Sequence, residues 1–554
     1  MGSNLIRMTG LVSGMDTESI INMYASKTKS KLEKAQKSKT LNTWKQDAWK
    51  DLNSKIYSFY SKTLSTNRLS GAYQKQKTTT SNGALSVTAG AGAANGVQTA
   101  VIKQTAAAAY LTGNALADDV MGGSSLTGDL GIAEGTQLTF KASSSAEPKT
   151  IQIGGSSSDS NVTVVDSMDE LVKTLKDSGV NANYDASNHR LFISAKETGE
   201  ANDFGFTTDN SSAAGLDALT KLGIATEKNF EDYALDKGVI SGGESAKEKA
   251  SAIAAMKESL VSAGNIANGK NASKIDGKDA ILELNGAEFK SSSNSMTING
   301  STYTINYMPA NKDEQISVTT ATDYDGVYDV VKSMLKEYNA LVNEMSKLYN
   351  ADSAKDYEPL TDEQKEAMSE KEVDAWEKKI KDSILRKDST VNDVLTAMTD
   401  IMSQGIDVGG TTMNLTDFGI STQQYFEADK NERYALHIDG NPDDEVSSGK
   451  EDKLKNMITS DPGKVTDFFQ KLSAKLYDKL FEKMSSNKST SSIYKVYNDK
   501  QLASEATDWD KKIAELEDKV TAIEDKWYSR FAKMETKLAK LQKNQTAVGG
   551  FFGS

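Results

Sequence analysis

Three stretches of the chain carry residue types that could do chemistry. Gly90-Ala91-Gly92-Ala93-Ala94-Asn95-Gly96 nearly matches a dinucleotide loop, in which a helix N-terminus holds the pyrophosphate. Its third glycine comes one residue late and a strand pattern follows, so a β-connection is the better reading. Asp323-Tyr324-Asp325-Gly326 resembles the start of a calcium loop. Gly326 stands where a further ligand is expected and no glutamate closes the loop in register, so helix capping is favoured. Asp439-Gly440-Asn441-Pro442-Asp443-Asp444-Glu445 is an acidic turn that could bind a cation weakly or simply be solvated. Ser-His-Asp, His-Glu-x-x-His and Walker spacings are absent. Only His189 and His437 exist, about 250 residues apart, and there is no cysteine. Disulfides, thiolate catalysis and Cys-ligated metals are thereby excluded. Paired carboxylates remain open, because sequence does not reveal spatial pairing. The chain reads as a non-enzyme with no metal and no cofactor.

Composition narrows the class further. The 554 residues carry 65 Lys+Arg against 78 Asp+Glu, a net charge of -13. Nucleic acid binding needs a basic surface and is disfavoured. No apolar run reaches the roughly 18 residues of a membrane span, so no membrane partner is expected. The first 20 residues lack a basic region followed by an apolar core, so a signal peptide of the usual type is not expected. Ile6 stands where N-myristoylation needs Ser or Thr.

The elements that position these residues run helix, strands, helix. A helix is expected from Asp16 as N-cap, with Glu18 in its first turn. Leu41, Trp44, Ala48, Leu52, Ile56 and Phe59 recur at helical spacing as one buried face. The pattern ends near Leu69. Strands are expected at 78–80, 97–103, 137–141, 150–153 and 162–165, then a hairpin of 180–184 with 190–195. Ser167/Glu170 and Ser245/Glu248 read as capping boxes of helices ending near Gly179 and Ala263. Asn285-Gly286 and Asn299-Gly300 signal type I′ hairpins. The strands are expected to end near Pro309. Helix returns near Gly326 with a seam of Val327, Val331, Met334, Tyr338, Leu341, Met345 and Leu348. Thr361/Gln364 and Ser369/Glu372 cap further helices. Others are expected at 390–402, 450–458 and 465–484, with a small strand pair within 415–439.

The last helix carries the clearest stripe: Trp509, Ile513, Leu516, Val520, Ile523, Trp527, Phe531, Met534, Leu538 and Leu541. Its spacings alternate four and three except for two fours around Trp527, a stutter that locally unwinds a left-handed supercoil. Phe551 and Phe552 follow a Gly pair and could anchor in a partner groove. Residues 27–45 hold seven lysines and one acid, and 508–526 hold seven acids and four lysines. Opposite charge favours pairing of the two ends, although both runs could be solvated faces. The expected fold is therefore α+β and multidomain, with β-rich domains inserted into a discontinuous coiled-coil stalk made by both termini. Expected domains are a leg (1–42 and 508–554), a helical bundle with a small β element (43–75 and 321–507), a β-rich domain (76–112 and 271–320) and an inserted α/β head (113–270).

Gly10-Leu11-Val12-Ser13-Gly14-Met15-Asp16 resembles the GL-x-SG-x-D opening of the flagellar hook-associated protein 2 family, the filament caps (FliD). The motif residues are Gly10, Leu11, Ser13, Gly14 and Asp16. Segments 95–106, 166–194, 285–306, 385–388, 415–420 and 530–541 also resemble family blocks. The resemblance implies a secreted, extracellular protein at the distal tip of the flagellum. It implies a homo-oligomeric ring, often a pentamer, that retains exported flagellin and promotes its folding and insertion. Flagellin, the hook-filament junction protein and a cytosolic export chaperone are the implied partners, with the C-terminal stripe as the binding leg. Alternatives are another axial protein (a junction protein or flagellin-like), or an extracellular adhesin whose β-rich head binds host glycan or mucin.

Overall fold

The computed structural model describes residues 12–90, 92–485 and 489–552, with side chains through Val548. The fold is α+β, and the chain divides into two compact units: Met1–Lys75 with Asp323–Ser554, and Gln76–Thr322.

In the first unit, the Asp16 carboxylate accepts the Ser19 N–H at 3.0 Å and opens the helix Thr17–Ser58. The helix runs on into a π-helical stretch, Phe59–Leu64, where Phe59, Tyr60 and Leu64 are all buried. That end packs into one core with helices Tyr324–Tyr349, Ser389–Ser403 and Pro462–Ser485. The expected seam holds: Val327, Val331, Met334, Tyr338, Leu341 and Met345 are buried, and Leu348 is half-buried. The N-terminal helix departs from expectation. Trp49, not Trp44 or Ala48, is the buried aromatic, stacked on Tyr497 at 5.3 Å and 8°. Trp44 is half-buried, with the Lys381 ammonium 4.6 Å from its ring. Capping boxes open helices Asp362–Glu366 and Glu370–Ser383 as expected. Strands Ile420–Thr422 and Leu436–Ile438 form the expected pair, and Ile406–Val408 with Thr411–Met413 adds one the pattern did not show.

The second unit holds two cores. One lies between a three-stranded and a five-stranded antiparallel sheet. The five strands run in the order Gln76–Thr80, Ile316–Thr322, Gly96–Gln104, Ala280–Leu284, Ala287–Ser291. Strand Ile316–Thr322 corrects the expectation that strands stop near Pro309. It sits between two neighbours, so Thr320 is buried beside Ile316 and Val318, and a threonine in the apolar register masks the alternation. Both Asn-Gly turns have positive φ at each central residue, as a type I′ turn requires. The other core joins two four-stranded sheets with helices Met168–Asp177, Ala214–Lys221 and Glu227–Asp236. The expected box at Ser167/Glu170 is only half formed: Glu170 reaches back to the Asp166 N–H at 2.7 Å, one residue further.

Gln76 and Thr322 are direct partners across antiparallel strands, so the second unit begins and ends at one place. Residues 76–322 expressed alone should fold and melt cooperatively. Circular dichroism against temperature checks this, and a non-cooperative melt contradicts it.

Candidate functional site in the paired terminal helices

The three stretches with catalytic or ligand potential are structural. The Gly90 N–H bonds the Gly300 carbonyl at 2.8 Å, and a Cβ there would lie 2.5 Å from that oxygen. A strand follows it, so the loop is a close crossing of two β-connections. Asp323 caps its helix through the Gly326 N–H at 3.0 Å. In the acidic turn, Asp439 pairs with Lys450 at 3.0 Å, Asp443 with Lys332, and Asp444 bonds His437 Nδ1 at 2.8 Å. Among the described residues no group of three or more His, Cys, Asp or Glu could hold a metal ion. No described helix is long and apolar enough to cross a membrane.

The two chain ends build the site instead. Helices Thr17–Ser58 and Asp499–Phe552 run antiparallel, and side-chain contacts fix their register. Tyr24 stacks on Trp527 with ring centroids 3.9 Å apart and planes 10° from parallel. Lys29 pairs with Glu524 at 2.8 Å, and Lys39 pairs with Asp510. Asn42 donates to Glu505 at 3.1 Å, and Gln46 to the Leu502 carbonyl at 2.9 Å. The seam of the N-terminal helix is Ile21, Ala25, Thr28, Leu32, Ala35, Lys39, Asn42, Gln46 and Trp49, a 4-3 repeat. Ile21, Ala25 and Ala35 are buried, and the two alanines allow close approach. Charge complementarity is only part of the contact. Lys37 turns to Glu33 and Glu358, and Lys45 to Asp388. Exposed pairs of this kind contribute about 0–1 kcal/mol each.

The far end closes with a clasp. Glu535 accepts the Val12 N–H at 2.8 Å, the Ser13 N–H at 3.3 Å and the Ser13 hydroxyl. The Ser13 hydroxyl and the Val12 N–H hold its carboxyl below the usual carboxylate range. Asp16 is held low in the same way, by the Ser19 hydroxyl and N–H. Gly14 sits at φ 68°, where the chain turns from the clasp toward the helix. Three motif residues thus have local work: Ser13 binds Glu535, Gly14 makes the turn and Asp16 caps. Gly10 and Leu11 lie outside the described residues.

The predicted stripe faces this seam. Leu516 and Phe531 are buried, while Trp509, Ile513, Val520, Ile523, Trp527, Met534 and Leu538 are half-buried. Leu541 is 63% exposed. The helix backbone continues to Phe552, but the side chains of Phe551 and Phe552 lie outside the described set. Tyr24, Asn42 and Glu535 were not singled out from sequence. The block 530–541 contains Glu535, but nothing local signals a partner 522 residues away.

A profile described as Flagellar hook-associated protein 2 N-terminus matches residues 13–109, and one for the C-terminus of the same protein matches 277–543. Together they cover the first helix and the last one as far as residue 543. The chain belongs to the flagellar hook-associated protein 2 family. A relative of that name from Halalkalibacterium halodurans is 23% identical over 587 aligned residues, covering 99% of this chain and 100% of its own. The D1-D2-D3 domains of the Escherichia coli flagellar cap protein FliD are similar at 16% identity and TM-score 0.44, over 78% of this chain and 96% of that one. FliD from Pseudomonas aeruginosa is similar at 16% identity and TM-score 0.27, over 46% and 93% respectively. The family profiles leave out 110–276, which is close to the second core of the inserted unit.

Trp527→Ala removes the stack on Tyr24, worth about 0.5–1.5 kcal/mol beyond lost area. Amide exchange along residues 20–28 and 523–531 should accelerate, with the helical bundle unchanged. The Glu535 carboxyl is depressed on folding, so the clasp contributes stability above the ordinary carboxylate pKa of about 4.3. That contribution is lost as pH falls through the lower folded value. Protection of the Val12 and Ser13 amides, corrected for intrinsic rate, should drop over that acidic window. Glu535→Gln should lack the transition.

Proposed function

We infer that this chain caps a flagellar filament as an assembly scaffold and carries out no chemistry of its own. Family membership at both ends carries the reading and favours it over a junction protein or a flagellin. The cap associates with the filament and self-associates. We further propose that it is exported, sits at the distal tip as a ring, and there holds exported flagellin while it folds and inserts. A cytosolic chaperone that masks the C-terminal helix before export, and the hook-filament junction protein as first seat, complete the proposed partners.

We propose the domains as a leg (1–42 and 508–554), a bundle (43–75 and 321–507), a β-rich domain (76–112 and 271–320) and a head (113–270). The leg residues Trp509, Ile513, Leu516, Val520, Ile523, Trp527, Phe531, Met534, Leu538, Leu541, Phe551 and Phe552 are the proposed contact to filament and partners. One observation supports this above others: most of the stripe is only half-buried by the single helix that covers it. A two-helix pair shields one side of an apolar ridge, and water on the other side is displaced favourably by a further helix.

Deleting residues 510–554 should abolish attachment of the cap. Cells carrying the deletion should release flagellin monomers into the medium, measured by immunoblot of the supernatant. Normal filaments from that strain would sink the proposal.

A further inference from the structure

The second unit carries a chemical signal that the cap reading does not use. Asparagine followed by glycine is prone to lose its side-chain ammonia, because glycine leaves the next backbone nitrogen unshielded and its torsions free. The chain holds five such pairs, beginning at Asn82, Asn95, Asn268, Asn285 and Asn299. All five lie in the second unit. The reaction needs a side chain free to turn and a backbone that lets the glycine nitrogen reach the carboxamide carbon.

The structure restrains four of the five. Asn82 donates to Glu314 and accepts the Ala84 N–H at 2.9 Å. Asn95 donates to the Thr322 hydroxyl at 3.0 Å, and Gly96 opens strand Gly96–Gln104. Asn285 accepts the Thr99 N–H at 3.0 Å, and its own N–H bonds the Thr99 carbonyl at 2.8 Å. Asn285 and Asn299 also occupy the first central position of type I′ turns closed by paired strands. Such turns hold ψ at about 30°, far from the value at which the ring closes.

Asn268 is different. It is exposed and belongs to no helix, strand or turn. Among the described residues nothing bonds its side chain or the Gly269 N–H. The Lys257 ammonium donates to the Gly269 carbonyl at 2.7 Å. A cation beside that residue favours the anionic nitrogen through which the attack passes. A Cβ at position 269 would lie 2.9 Å from Thr220 Cγ2, so close packing requires glycine there and keeps the reactive pair in place.

We propose that Asn268 is a site of spontaneous deamidation, and that its isoaspartate product loosens helix Ala246–Ser262. The Gly269 nitrogen attacks Asn268 Cγ and a C–N bond forms. The Cγ–Nδ2 bond breaks, and ammonia leaves with the proton that the nitrogen gives up. Water then opens the cyclic imide at either carbonyl, giving aspartate or isoaspartate, and nothing is oxidised or reduced. In isoaspartate the main chain runs through Cβ and Cγ, one atom longer, with a free carboxylate on Cα. The loop is tied on both sides of that atom. Asp217 accepts the Ala267 N–H at 2.7 Å, Lys257 holds Gly269, and Asn114 donates to the Lys270 carbonyl. The longer chain does not fit between these ties, and the Lys257 bond is the one next to the inserted atom. Lys257 belongs to helix Ala246–Ser262, none of whose residues is fully buried, so loss of this tie frees the helix.

The test uses the full-length protein, incubated at physiological temperature and mildly alkaline pH. Peptide mapping by mass spectrometry, with electron-transfer fragmentation to tell isoaspartate from aspartate, follows all five pairs together. Conversion at Asn268 should run at least fivefold faster than at Asn82, Asn95, Asn285 or Asn299. Amide exchange along residues 246–262 should accelerate at least fivefold in the converted fraction. Asn268→Ser, incubated in parallel, should show no such acceleration. Faster conversion at another pair, or an Asn268 that stays intact, overturns the site. Conversion without faster exchange, or equal acceleration in aged Asn268→Ser, overturns its effect on the helix.

Discussion

The structure depends on burying an apolar ridge of the last helix against a seam of the first. Closing a loop of some 520 residues between Ser13 and Glu535 would cost on the order of 5 kcal/mol in chain entropy. The bundle core removes most of that cost before the leg forms. Trp49 stacks on Tyr497, and Asn53 bonds both Tyr494 and Val496, so the two helices leave the bundle side by side. From there the pair can zip outward, each contact bringing the next within reach. Tyr24–Trp527 lies far along that zip, and the Glu535 clasp lies further still.

Composition of the seam sets how firmly the zip holds. Near the bundle it contains Trp49, Gln46 and Asn42, which hydrogen-bond or stack in defined geometry. Further out it contains Ala35, Leu32, Thr28, Ala25 and Ile21, of which Ala35, Ala25 and Ile21 are buried. The outer half of the leg adds the buried Phe531, the Tyr24–Trp527 stack and ion pairs that contribute about 0–1 kcal/mol each. Along the whole leg most of the apolar ridge of the last helix is only half-buried.

Much of this was legible in the sequence, and the failures have a common cause. The last helix, the helix of residues 324–349, the capping boxes at Ser245, Thr361 and Ser369 and both Asn-Gly hairpins carry strong local signals, and each formed. The seam of the first helix did not announce itself, because Thr28, Lys39, Asn42 and Gln46 occupy a 4-3 repeat that a hydrophobic count skips. Trp49 was missed for a related reason: Leu41, Trp44 and Ala48 make a more apolar stripe on a neighbouring face. Strand Ile316–Thr322 was lost where threonine took a core position. The clasp joins residues at opposite ends of the chain, and such pairing has no local signal. Sequence thus showed the ridge and that the other chain end could pair with it, but not the seam or the register of that pairing.

The central claim is that the two chain ends pair in this antiparallel register before any partner binds. Nitroxide labels placed at Ser26→Cys and Lys526→Cys, in a chain that has no other cysteine, test it by pulsed electron–electron distance measurement. The account predicts one narrow distribution at the spacing of packed helices, whose axes lie about 10 Å apart. A broad distribution extending to long distances in the isolated protein would contradict it.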